Sequence, residues 1–128
     1  MSNGYRSGLE EAVAKQLLAA GIKAEYESEK IAYSQPQTAH IYTPDFVLPN
    51  GIVVETKGEF ILADRKKHLL VKEQHPAMDL RFVFTRSKTP INKGSPTTYG
   101  KWCTKNGFIF ADKLIPESWL TARGPHQS

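Results

Sequence analysis

The tripeptide Pro49-Asn50-Gly51 stands between two apolar runs, Phe46-Val47-Leu48 and Ile52-Val53-Val54-Glu55-Thr56-Lys57. Asn-Gly in that setting is a strong reversal signal, because both residues accept the left-handed backbone of a tight hairpin turn. The two runs are therefore expected to pair as antiparallel strands. Side chains alternate along a strand, so Glu55 and Lys57 share a face with Val53, while Ile52, Val54 and Thr56 take the other. Asp45 lies five residues before Asn50 and Glu55 four after Gly51, so the pairing brings two carboxylates together.

Two carboxylates held close repel each other, and a divalent cation with a preference for oxygen ligands removes that repulsion. Mg²⁺ keeps several of its waters, which leaves positions for a phosphate oxygen. Lys57 on the same face can contact a scissile phosphate or help position an attacking water, and neighbouring carboxylates preserve its charge. A Glu-x-Lys on a strand is also a common solvated face. Against that plain reading, Asp and Glu are depleted in strands. Here they sit among Phe46, Val53 and Val54, where unpaired charge is costly.

The rest of the chain frames this motif. At 128 residues, with 40% hydrophobic and 23% charged residues, the composition is that of one ordinary globular domain spanning 1–128. No apolar run is long enough to span a bilayer. Met1 to Arg6 lacks the apolar core of a signal peptide, so the cytoplasm is the expected location. The single cysteine, Cys103, can form neither an internal disulfide nor a CxxC metal pair, and any metal must be held by oxygen or histidine. The net charge of +4 is a mild bias that by itself decides nothing. The clusters say more. Arg65-Lys66-Lys67-His68 is one, and Arg81, Arg86, Lys88 and Lys93 form a looser second set; such groups supply salt-sensitive affinity for phosphates.

Ser7-Gly8-Leu9-Glu10 reads as a capping box opening a helix, with Leu9, Val13, Leu17 and Ala20 at helical spacing and Gly21 as its stop. Glu10 is explained by capping alone, and metal work is its second reading. A strand is expected over 22–33, with Lys23, Glu25, Glu27 and Glu29 on one face and Ala24, Tyr26 and Ser28 on the other. Ser34 to His40 is polar and interrupted by proline, and reads as a linker or an extended bridge. His40 within it is a candidate ligand or phosphate contact, although a lone histidine in a polar segment is commonly neither. Asp64 is expected to cap a second helix over 65–75, stopped by Pro76. Lys66 and Lys67 on that helix are either a solvated face or DNA contacts. A strand over 80–85 follows, then a helix starting at Thr97 or Thr98, a short strand at Phe108-Ile109-Phe110, and a final helical turn holding Trp119. This order implies a mixed sheet with helices packed on it.

Pro-Asp, a spacer and Glu-x-Lys form the loose signature of the restriction-endonuclease-like nucleases. Further blocks narrow the likeness: Arg6-Ser7-Gly8-Leu9-Glu10, Tyr42-Thr43-Pro44-Asp45-Phe46, Asp64-Arg65-Lys66-Lys67-His68-Leu69-Leu70, Lys93-Gly94-Ser95-Pro96-Thr97 and Phe110-Ala111-Asp112-Lys113-Leu114-Ile115-Pro116. From about Arg6 to Trp119 the chain resembles the bacteriophage T-seven endonuclease I family of Holliday-junction resolvases. The resemblance implies an α/β fold, a restriction-endonuclease-like mixed β-sheet flanked by helices, assembled as a domain-swapped homodimer. In that arrangement residues 7–33 are exchanged, 34–41 form the bridge and 42–120 form the metal-site core. It implies an active site of Glu10, Asp45, Glu55 and Lys57, with Glu10, Asp45 and Glu55 as metal ligands. Up to two Mg²⁺ per site are implied, replaceable by Mn²⁺, with branched DNA as substrate and 5′-phosphate products. Arg65, Lys66, Lys67, His40 and Lys93 are the expected DNA contacts. Two other readings stand beside it: a catalytically silent junction-binding module, and a nuclease of the same superfamily acting on linear duplex or RNA.

Overall fold

The computed structural model describes residues 8–27, 29–35 and 38–122. Helix α1 spans Gly8–Ala19, and strands β1 (Glu25–Tyr26), β2 (Ile31–Gln35), β3 (Thr38–Tyr42), β4 (Phe46–Val47) and β5 (Val53–Lys57) follow. Then come α2 (Leu62–Gln74), β6 (Leu80–Phe84), α3 (Tyr99–Lys105), β7 (Ile109–Asp112) and α4 (Glu117–Thr121). Five strands form one mixed sheet in the order β1-β4-β5-β6-β7, and β2 and β3 pair separately.

The expected hairpin is present. Phe46 pairs with Val54 and Val47 with Val53, and Gly51 takes a φ of +90°, which a residue with a Cβ adopts only under strain. Continuing that register by one step sets Asp45 across from Glu55. Strands β5, β6 and β7 run parallel, each step crossing over through a helix, α2 and then α3.

Alternation along the central strands divides the core in two. Val53, Phe82 and Phe84 pack on one face with Val71 of α2 and Trp102 and Cys103 of α3. Val54 and Val83 pack on the other with Val13 and Leu17 of α1 and Trp119 of α4. Residues buried on both faces of β5 explain why its sequence is almost continuously apolar up to Glu55.

Three expectations are corrected. The single strand over 22–33 is broken: Glu27 has a φ of +48°, and β1 and β2 join different sheets. Ser28, assigned to one face of that strand, lies outside the described residues, as does Ser7 of the capping box. The stretch read as a linker or an extended bridge is not a loose linker: its described residues belong to strands β2 and β3, which pair within this chain. Tyr33 pairs with His40 and Ser34 with Ala39, and the Gln74 side chain bonds both the N–H and the C=O of Ser34 at 2.7 Å. Asp64 does not cap α2. The cap position is Ile61, which makes no side-chain cap bond, and Asp64 stands in the first turn, where its carboxylate is drawn to Lys57. Thr98, by contrast, caps α3 as expected, its Oγ1 accepting from the Lys101 N–H at 3.2 Å. No described helix is long and apolar enough to cross a membrane.

Candidate active site

The buried carboxylates among the described residues converge on one cavity. It measures about 440 Å³ and is lined by Glu10, Tyr42, Asp45, Glu55, Lys57 and Lys67, among others. Helix α1 turns Glu10 inward, the same side that buries Val13 and Leu17. The hairpin delivers Asp45 from one strand and Glu55 from the other. Exposure is only 7% at Glu10, 4% at Asp45 and 6% at Glu55, so each carboxylate needs a partner.

Each has one. The Tyr26 hydroxyl donates to Glu10 Oε2 at 2.6 Å. Thr56 donates to Asp45 Oδ2 twice, from its backbone N–H at 2.9 Å and its hydroxyl at 2.8 Å. The Tyr42 hydroxyl donates to Glu55 Oε1 at 2.7 Å. Glu55 Oε2 faces the Lys57 ammonium at 3.4 Å, and Lys57 also reaches Asp64 at 3.5 Å. Lys57 is thus suspended between two carboxylates at the cavity wall.

The electrostatics follow from this crowding. Burial first, and then the Asp45 charge, push the Glu55 carboxyl up to about 7; Lys57, the Tyr42 hydrogen bond and Lys67 act against the rise. Asp45 is raised mainly by burial and then by Glu10, with the Thr56 hydrogen bonds and Lys57 opposing. Burial and the facing carboxylates raise the phenols of Tyr26 and Tyr42. His68, beneath the cavity, is lowered by burial and by the charges of Lys57 and Lys67.

Three groups around the site escaped sequence reasoning. Glu27 brings a carboxylate oxygen into a group with Glu10 and Asp45 in which all three atoms lie within 4.8 Å of one another. It sat with Lys23, Glu25 and Glu29 on one expected strand face, and nothing in that run marks it out. The left-handed backbone at Glu27 and the pairing of β1 with β4 carry it to Asp45, whose carbonyl accepts from the Glu27 N–H at 3.2 Å. Tyr42 and Asp64 were equally unmarked. The donor set is all oxygen and strongly acidic, which suits a hard divalent cation such as Mg²⁺ or Mn²⁺.

The expected phosphate contacts divide. Lys67 lines the cavity, its Nζ lying 5.6 Å from the centre of the Tyr42 ring. Lys66 and Lys93 are exposed. His40 is half-buried, stacked on Tyr33 with ring centres 5.3 Å apart. Arg65 departs from expectation: only 5% exposed, its Nε donates to the Phe60 carbonyl at 3.1 Å, so it braces the entry to α2 from inside. Cys103 is buried among apolar groups, which push its thiol up to about 12 and leave it inert.

Two phage nucleases are similar to this chain over most of its length. Endonuclease I of Escherichia phage T7 is 60% identical over 116 residues, covering 91% of this chain and 78% of that protein. Endodeoxyribonuclease 1 of Enterobacteria phage T3 is 59% identical over 112 residues, covering 88% and 74%. The family described as phage endonuclease I matches residues 1–126, a span that includes every residue of the cavity. With the match running almost end to end, the chain belongs to the phage endonuclease I family.

Proposed function

We propose that this endonuclease cuts four-way junctions and other branched DNA by metal-dependent hydrolysis of phosphodiesters, leaving 5′-phosphates. The observation that carries the reading is the single cavity in which Glu10, Asp45, Glu55 and Lys57 meet. Its oxygen donors fit up to two Mg²⁺, or Mn²⁺ in their place, because burial and crowding raise the carboxyls of Asp45 and Glu55, and a dication relieves that crowding. Glu10, Asp45 and Glu55 would hold the metal, and Glu27 brings a further carboxylate oxygen within 4.8 Å of those of Glu10 and Asp45. When bound, the metal supplies a water of lowered pKa and offsets charge developing on the phosphate oxygens.

The chain's own groups complete the site. Both Thr56 bonds fall on Oδ2 of Asp45, which leaves Oδ1 for a ligand. Lys57, fixed by Glu55 and Asp64, presents an ammonium to the scissile phosphate or to the attacking water. Lys66, Lys67, His40 and Lys93 are the groups we assign to phosphates around the site. Contacts of that kind read shape and not base sequence. We further propose a homodimer in which residues 7–33 exchange between chains. The β2–β3 hairpin would open into the bridge over 34–41, and Glu10 of the partner subunit would take the place that Glu10 holds here. A two-fold dimer with two sites matches a two-fold branched substrate.

The test is cleavage of an immobile four-way junction against a matched duplex, with Mg²⁺ and with chelator. The junction should be cut in Mg²⁺, left intact in chelator, and preferred over the duplex. Equal cutting of the duplex would favour a linear-duplex nuclease, and tight junction binding without cutting would make the chain a silent module. Glu55→Gln should abolish cleavage while junction binding survives; wild-type cutting by that variant would remove Glu55 from the metal site.

A further inference from the structure

Glutamate is a poor ligand until it is held. Its three side-chain torsions leave the carboxylate free to turn, and burying it without a donor is expensive. At Glu55 the donor is a phenol. Tyr42 ends β3, is 2% exposed, and spends its hydroxyl on Glu55 Oε1. That bond occupies Oε1, and Oε2 is the oxygen left facing Lys57. The ring itself is walled in. His68 stands edge-on to it, ring centres 5.2 Å apart at 88°, and Lys67 lies over its face.

His68 shows what kind of wall this is. It is fully buried, and neither ring nitrogen has a hydrogen-bond partner among the described residues. It also packs edge-on against Phe82 and tilted against Phe60. Between two lysine charges and an aromatic core, the imidazole serves as a flat surface and offers Glu55 no competing bond. The hydroxyl of Tyr42 is therefore aimed by packing and not by a second polar partner.

We propose that Tyr42 is the positioning residue of the site: its hydroxyl orients Glu55 for the divalent cation and touches no reacting atom. The inference rests on the metal-dependent reading above. Tyr42 and Glu55 both lie in the 42–120 segment, so it holds whether or not residues 7–33 are exchanged.

The experiment is calorimetric titration of Mn²⁺ into the DNA-free protein, alongside the Mn²⁺ dependence of junction cleavage. Tyr42→Phe keeps the ring and removes the hydroxyl. Groups that orient metal ligands typically contribute about 10- to 100-fold to metal affinity. Mn²⁺ affinity should thus fall by about tenfold or more, and the Mn²⁺ concentration for half-maximal cleavage should rise by a similar factor. Junction binding in chelator should not change. Replacing Tyr42 with 4-aminophenylalanine, which restores a donor on the same ring, should recover the affinity. Adding Tyr42→Phe to Glu55→Gln should cost nothing further, because the hydroxyl acts through the lost carboxylate. Wild-type Mn²⁺ affinity in Tyr42→Phe would overturn the proposal alone. An unfolded Tyr42→Phe chain would assign the hydroxyl to stability and overturn it as well. Failure of the wild type to bind Mn²⁺, or unchanged binding in Glu55→Gln, would overturn the metal reading and the proposal with it.

Discussion

Replacing Glu55 with glutamine should make the metal-free protein more stable at neutral pH. Glu55 has its carboxyl raised from 4.5 to about 7, chiefly by burial. The folded state therefore binds a proton that the unfolded chain has already lost between those two values. Stability from this group is highest below about pH 4.5 and falls as pH rises toward 7, the reverse of a salt-bridged carboxylate with a depressed pKa. At about 1.36 kcal/mol per pH unit, the loss across that window is about 3 kcal/mol. Asp45 is raised as well and pulls in the same direction. Glutamine still accepts from Tyr42 and carries no charge to desolvate. Urea unfolding in chelator, from about pH 4.5 to about pH 8, should show the Glu55→Gln curve rising relative to wild type by about 3 kcal/mol. Saturating Mg²⁺ should narrow the gap at the alkaline end, since only the wild type gains a ligand there. Parallel curves in chelator would refute the reasoning, because they would mean that Glu55 ionises in the folded state at no cost.

Three further outcomes are expected. If residues 7–33 exchange, Glu10→Gln and Glu55→Gln chains refolded together should regain nicking, because one of the two sites then collects an intact Glu10 and an intact Glu55; a mixture as inactive as its parts would keep both residues within one chain. Lys67→Gln and Lys93→Gln should each lower the slope of log affinity against log salt by about one. Arg65→Gln should leave that slope alone and reduce stability, and the reverse result would return Arg65 to the DNA interface.

What was legible in the sequence was local. Asn50-Gly51 fixes a reversal, strand alternation fixes a face, and together these bring Asp45, Glu55 and Lys57 to one cavity. The illegible parts depend on neighbours remote in sequence. Glu27 joins the cavity only because β1 pairs with β4, and its spacing matches that of Glu25 and Glu29 on an exposed edge. Asp64 had the residue type and place of a cap, yet the nearby ammonium of Lys57 offers it a stronger partner. Arg65 lies in a basic run whose two lysines are more exposed, and the carbonyl that holds it belongs to the preceding loop. A resemblance to known nucleases supplied Glu10, where capping was a sufficient local account.

Strand β5 is the middle strand of the five, flanked by β4 and β6 and buried on both faces. The backbone that carries Glu55 and Lys57 therefore belongs to the part of the molecule that opens last, when the whole domain unfolds. Such an anvil does not yield to its substrate. On the proposed function, any distortion needed to seat a phosphate would fall to the nucleic acid, and DNA that already bends cheaply at the point of cleavage would be favoured. A branch point, where helices are free to hinge, meets that demand and an uninterrupted stacked helix resists it.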